Sequence, residues 1–183
     1  MAQPTATWLG RRFGATIVWL PFDLHPEYPP EGMPRAELLA RYGEGMTERM
    51  RATFAARGLE YNPHPDLVPN TMKALRLTEL ARELGRHEET HDRLMDAYWA
   101  EAQDLGDSAV LRALAAELGL PDDEVESVLA GDGYRERIES STRQAISIGA
   151  TGVPAFLLDR HLLVLGAQPD AVFEQGFAEL EPP

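Results

Sequence analysis

The apolar positions of this chain change their spacing as the sequence proceeds, and each change predicts a different element. Ala6 to Phe13 reads as the end of a helix closed by Gly14, a residue suited to the left-handed conformation just past a helix C-terminus. Thr16-Ile17-Val18-Trp19-Leu20 is a β-branched, apolar run between Gly14 and Pro21 and predicts a buried strand. Leu24 to Pro34 carries four prolines and a glycine, which predicts an extended loop.

From Pro34 to Gly149 the spacing is helical throughout. The predicted helices are Arg35–Tyr42, Thr47–Arg57, Thr71–Leu84, His87–Leu105, Ser108–Leu118, Asp122–Leu129 and Tyr134–Ile148, separated by Gly or Pro signals at Gly58, Pro63, Gly85, Gly106, Gly119 and Gly131. Leu94, Met95, Tyr98, Trp99, Ala102 and Leu105 fall on one face, wide enough to belong to a core. Asp107 ahead of Val110 and Leu111, and Pro121 ahead of Asp122-Asp123-Glu124, place acid at the positive ends of helices. Beyond Gly149 the period shortens. Phe156-Leu157-Leu158 and His161 to Leu165 predict a hairpin, and Pro169 opens a last helix to Leu180.

Composition narrows the possible partners. The 183 residues suffice for one well-packed domain, or one with a large insertion, and 44% apolar with 26% charged residues is ordinary for a water-soluble chain. Seventeen Lys and Arg against 30 acids, a net charge of −13, argue against a nucleic-acid partner, which needs a basic patch. There is no 18-residue apolar run, and Met1 to Gly14 has no apolar core of a signal peptide, so neither membrane nor export is expected and a cytoplasmic location is the default. The chain has no cysteine, which rules out disulfides, thiolate metal sites and thiol–disulfide exchange by its own groups.

The loop Gly149-Ala150-Thr151-Gly152-Val153-Pro154 before the strand Ala155-Phe156-Leu157-Leu158 is the most distinctive stretch. A residue before proline is pushed to extended geometry, so Val153 should present its N–H and C=O sideways, as an edge offered to a peptide. This loop, the hairpin and Gly166-Ala167-Gln168-Pro169 resemble the cis-proline region of the DsbA-like thioredoxin superfamily, most closely its FrnE-like branch. Pro21-Phe22-Asp23-Leu24-His25-Pro26-Glu27 with Pro29-Pro30-Glu31-Gly32, Asn70-Thr71 with Arg76-Leu77, and Asp104-Leu105-Gly106-Asp107 extend the resemblance over roughly Trp8 to Leu180.

The resemblance implies an α/β, thioredoxin-like fold made of residues 1–33 and 134–183, interrupted by an inserted all-helical domain at residues 34–133. It implies a cis Val153–Pro154 bond and a loop of Thr151, Gly152, Val153 and Pro154 that holds an extended peptide, a protein thiol substrate or glutathione. It also implies a first strand and a C-P-x-C motif that this chain lacks; Gln3-Pro4-Thr5-Ala6 lies too close to Trp19-Leu20-Pro21-Phe22 to stand in for that motif. In the resembled fold the missing strand lies between Thr16–Leu20 and Ala155–Leu158. Its loss removes several large buried side chains at about 1.5–3 kcal/mol each, a large share of a domain's stability of about 5–15 kcal/mol.

Three arrangements remain open at this point. The biological start lies upstream and the chain is an N-terminally shortened oxidoreductase; the flanking strands close on each other or are completed by a second subunit in a homodimer; or the resemblance fails in this region.

Two constellations have alternative readings. His87-Glu88-Glu89-Thr90-His91 matches the H-E-x-x-H pattern of zinc proteases, but Gly85-Arg86 before it and the charges of Glu89 and Asp92 predict a solvated helix start and no metal site. His25 beside Glu27 is a secondary candidate for a general base, against a loop-fixing role. Asn70-Thr71 reads as an N-cap pair. The expected function is therefore that of a DsbA/FrnE-like thiol–disulfide oxidoreductase family member with no catalytic residue and no thiol redox activity of its own. The rivals are a glutathione-dependent relative of hydroxychromene-carboxylate isomerase or kappa-class glutathione transferase, and a non-catalytic peptide-binding or chaperone-like module.

Overall fold

The computed structural model describes residues 2–43 and 45–180. These form nine helices and four short strands: α1 (Ala2–Phe13), β1 (Met33–Pro34), α2 (Arg35–Tyr42), α3 (Gly45–Ala55), β2 (Leu67–Val68), α4 (Met72–Glu83), α5 (His87–Trp99), α6 (Ser108–Glu117), α7 (Asp122–Ala130), α8 (Arg135–Ser147), β3 (Ala155–Leu158), β4 (Leu162–Leu165) and α9 (Asp170–Leu180). The chain divides into two compact units. One is continuous, His25–Ser140; the other is split, comprising the chain up to Leu24 and from Ser141 onward. The boundaries fall at Leu24/His25 and within α8, whereas the sequence placed them at residues 33/34 and 133/134.

The continuous unit is built around helices. Leu77, Leu80 and Ala81 of α4, Leu94 and Ala97 of α5, Leu111, Leu114 and Ala115 of α6, and Val125, Val128 and Leu129 of α7 form one buried cluster with Leu105 and Leu120. Full burial of each leucine contributes about 1.5–3 kcal/mol. Helix ends are satisfied locally: the Asp107 carboxylate accepts from the Ala109 N–H at 2.7 Å, and Asn70 Oδ1 accepts from the Met72 N–H at 3.0 Å. Asn70 also donates to the Tyr28 carbonyl at 2.8 Å, tying the proline-rich loop to the start of α4. In that loop β1 pairs with β2 in a two-residue antiparallel ladder, an element that the proline run concealed. Gly32, at φ +83°, lies where a Cβ would meet the Val68 carbonyl oxygen at 2.7 Å, so only glycine fits.

One buried carboxylate ties two helices of this unit together. Glu79 of α4 is 1% exposed and receives Arg82 from its own helix and Arg137 from α8, the latter at 3.1 Å. Two guanidinium groups meet one buried carboxylate and supply its hydrogen bonds, the condition under which such a group is tolerated away from water.

In the split unit β3 and β4 form an antiparallel hairpin with Phe156 opposite Val164 and Leu158 opposite Leu162. That face packs on Leu9 of α1 and Phe173 of α9, joined by Trp8, Phe13 and Phe177. The Phe13 and Phe177 rings stack at 4.1 Å, and Phe156 meets Phe173 edge-on at 5.0 Å. Gly176 lets α9 approach closely, since a Cβ there would lie 2.8 Å from the Leu162 side chain and 3.1 Å from that of Leu158.

Two sequence expectations need correction. Thr16–Leu20 is not a buried strand: it pairs with no strand among the described residues, and Val18 is 71% and Leu20 74% exposed. Its composition is that of a strand, but a strand exists only with a neighbour to complete its ladder. The helix expected over His87–Leu105 ends at Trp99, and the chain turns through Ala102 at φ +57°, so Leu105 joins the core from beyond the helix.

Candidate functional site

The loop after α8 is shaped by the end of that helix. The Gly149 N–H donates to the Ile146 carbonyl at 3.0 Å and the Ala150 N–H to the Ala145 carbonyl at 2.9 Å, with Gly149 at φ +94°. This satisfies the last carbonyls and turns the chain out of the helix. Ala150 is buried and anchors the loop, while Thr151 and Val153 face outward, Val153 being 55% exposed. The Val153–Pro154 bond is cis. Beyond it the Pro154 carbonyl accepts from the Gly166 N–H at 2.8 Å, extending the hairpin by one rung. The N–H and C=O of Val153 make no hydrogen bond among the described residues.

Thr151, Gly152, Val153 and Pro154 therefore lie together in the split unit, between α8 and β3, with no ionisable side chain among them. What this arrangement offers is a backbone donor, a backbone acceptor and an apolar side chain. Such a set can pair with an extended chain; it holds no nucleophile and no general base.

His25 begins the continuous unit. Its Nδ1 lies 3.1 Å from the Glu27 carboxylate, and its ring stacks on Tyr28 at 4.3 Å with the planes 1° apart. The Glu27 carboxyl is held below its ordinary value, first by its own backbone N–H and then by His25. These contacts fix the turn leading to β1.

The H-E-x-x-H stretch occupies the first two turns of α5. The His87 and His91 rings stack at 5.9 Å, and Arg82 donates to His87 Nε2 at 2.8 Å. Burial, then the Arg82 charge, lowers the His87 pKa to about 4, so the ring is a neutral acceptor near neutral pH. His91 is also lowered, chiefly by burial. A cation already occupies the nitrogen that a metal would need, and no group of three or more His, Cys, Asp or Glu is arranged to hold a metal among the described residues. What sequence reasoning missed was the Glu79 network. Its signal was present in the i, i+3 spacing of Glu79 and Arg82.

The model of the DSBA-like thioredoxin domain matches residues 2–178. The chain belongs to this family. Within it, the chain is 34% identical to a probable DsbA oxidoreductase, SCO1869, from Streptomyces coelicolor, and superposes on its crystal structure with a TM-score of 0.82, covering 92% of this chain and 76% of that one. The uncharacterized protein YwbO of Bacillus subtilis (strain 168) is 27% identical over 166 residues, which is 89% of this chain and 81% of YwbO. A 2-hydroxychromene-2-carboxylate isomerase superposes with a TM-score of 0.76 over 98% of this chain and 88% of its own; at 17% identity that likeness shows the fold alone. The DSBA-like fold here is rich in helix and poor in strand. No helix of the described residues is long and apolar enough to cross a membrane.

Proposed function

We propose that this DSBA-like chain binds extended peptide through the Thr151–Pro154 loop and, by itself, carries out no thiol–disulfide exchange. Exchange needs a thiolate that attacks one sulfur of a disulfide and expels the other, and none of the 183 residues is a cysteine. The observation that supports the binding half is Val153: its side chain is 55% exposed and its backbone donor and acceptor have no partner among the described residues. An extended segment laid against it gains two backbone hydrogen bonds, each worth about 0.5–1.5 kcal/mol net, plus apolar contact with Val153. Affinity from so small a contact is weak and tolerant of sequence, as suits a protein that meets many unfolded chains. The FrnE-like branch is the assignment that the Pro21–Gly32 motif favours, and a cytoplasmic location accords with a chain that has no cysteine to protect or oxidise.

The test has two arms on the 183-residue chain. Titration with a reduced and alkylated unfolded peptide, followed by amide NMR, is expected to shift Gly152 and Val153 in a saturable way, while insulin reduction stays at the uncatalysed rate. Turnover of a dithiol or disulfide substrate would overturn the redox half. Peptide saturation that leaves Gly152 and Val153 unmoved would overturn the binding half.

A further inference from the structure

Helix α4 buries two charged side chains one turn apart, and only one of them is answered. Glu79 is taken by Arg82 and Arg137. Arg76 is 3% exposed, and its Nε and Nη2 atoms are buried with no hydrogen-bond partner among the described residues. Its ion-pair contact is with Asp132, where Nη1 and Oδ1 lie 3.8 Å apart, too far for a hydrogen bond. Burial, then the Arg135 charge, lowers the Arg76 pKa against the pull of Asp132. An arginine stays charged through such a shift, so a cation short of acceptors is held away from water.

The Nη1 contact sets this guanidinium at the turn between α7 and α8. Asp132 in that turn is 77% exposed and is engaged by Arg135, whose Nε donates to it at 2.8 Å. Exposed ion pairs of this kind contribute little and exchange partners in water. Arg135 also lies 4.0 Å from Glu139, one turn further along α8. A Cβ at Gly133 would meet nothing within 4 Å, so the rim beside Asp132 is open. Helix α8, 13 residues long, starts at Arg135 and brings the positive end of its dipole to the same turn. Two guanidinium groups and a helix start therefore converge on one exposed carboxylate.

We propose that this junction of α4 with the α7–α8 turn binds a small tetrahedral oxyanion, a phosphate ion or the phosphate of a monoester, which displaces the Asp132 carboxylate and bridges Arg76 and Arg135. Swinging Asp132 outward opens the Nη1–Nη2 edge of Arg76 to the incoming anion and gives Nη2 the acceptor it lacks. A tetrahedral anion suits two forks because its oxygens face both at once, whereas a planar carboxylate fills one fork at a time. The site lies within the continuous unit and uses no residue of the Thr151–Pro154 loop. It goes beyond the peptide-binding reading and does not rest on it.

Titration of the full isotope-labelled chain with inorganic phosphate, and separately with phosphoserine, against sodium chloride at matched ionic strength tests the proposal by NMR. The Arg76 Nε–H and Gly133 amide signals are expected to shift saturably with phosphate and not with chloride. Saturation by both probes assigns the site to phosphate monoesters, and saturation by inorganic phosphate alone assigns it to the free ion. Asp132→Asn removes the competing carboxylate and is expected to tighten binding about tenfold, while Arg135→Gln, at a side chain 43% exposed, weakens it about tenfold. Arg76→Gln is expected to abolish saturation; where circular dichroism shows that its helices are lost, Arg135→Gln carries the test. No saturable shift with either probe at tens of millimolar overturns the proposal. So does a shift that chloride reproduces, and so does binding that neither Asp132→Asn nor Arg135→Gln alters.

Discussion

The two units of this chain solve the same problem to different degrees. The continuous unit stacks four helices around Leu77, Leu94 and Leu111, and among its described residues the large apolar side chains exposed are Tyr42 and Leu84. The split unit has far fewer residues, yet exposes Ile17, Val18, Leu20, Leu24, Ile146, Ile148, Val153, Leu157, Leu165 and Val172. Its hairpin is apolar on both faces, but only the Phe156/Leu158 face is covered. A helix satisfies its own backbone and needs only one covered stripe; a strand needs a neighbour to complete its hydrogen bonds, and an antiparallel sheet needs cover on at least one face. A helical unit can therefore close on itself, whereas a two-stranded hairpin leaves an unpaired edge and exposed apolar side chains among the described residues.

Four substitutions or conditions would break or sharpen this contrast. Leu111→Ala, at a site with 0% exposure, is expected to cost about 2–5 kcal/mol in denaturant unfolding followed by circular dichroism, whereas Leu20→Ala at 74% exposure costs about 0.5 kcal/mol or less in dilute solution. Equal losses would mean that residues 16–20 are packed after all. Gly176→Val drives a branched side chain between α9 and the hairpin and is expected to destabilise the split unit by about 1–3 kcal/mol, read from the fluorescence of Trp8, which packs on Phe173 in the same cluster.

Acid provides a third probe, aimed at the continuous unit. His87 titrates at about 4 in the fold against 6.5 ordinarily, so the unfolded chain takes up a proton first as pH falls. Stability from this group is complete above pH 6.5, declines between about 6.5 and 4, and is flat below. His87→Gln should flatten that part of a pH–melting curve; an unchanged slope would assign it to other groups. The smallest effect is expected at the hairpin turn, where Asp159 and Arg160 both have positive φ. Arg160→Gly relieves the left-handed strain and should raise stability by up to about 1 kcal/mol in a thermal melt.

How legible each region was in the sequence follows the same division. The helices were readable because 3.6-residue spacing and caps are local: Asp107, Asn70 and the glycines at 85, 119 and 149 mark ends that the structure shares. The hairpin was readable for a similar reason, its two runs being separated by one short turn. Thr16–Leu20 misled because β-branched apolar composition states what a segment would do given a neighbour, and cannot say whether the neighbour is there. The β1–β2 ladder was hidden by the opposite effect, with Pro34 inside a two-residue strand that pairs across more than thirty positions. Of the candidate site, the small-residue loop and its proline were visible as letters. The free backbone of Val153 was expected too, because the proline that follows pushes it to extended geometry.

Residue-resolved hydrogen exchange on dilute protein tests the contrast between the units most directly. The account predicts strong protection for α4 and α6 around Leu77 and Leu111 and near-intrinsic exchange for residues 16–18. Protection of residues 16–18 comparable to that of α4 in a dilute monomer would contradict it, since it would mean that the split unit is closed.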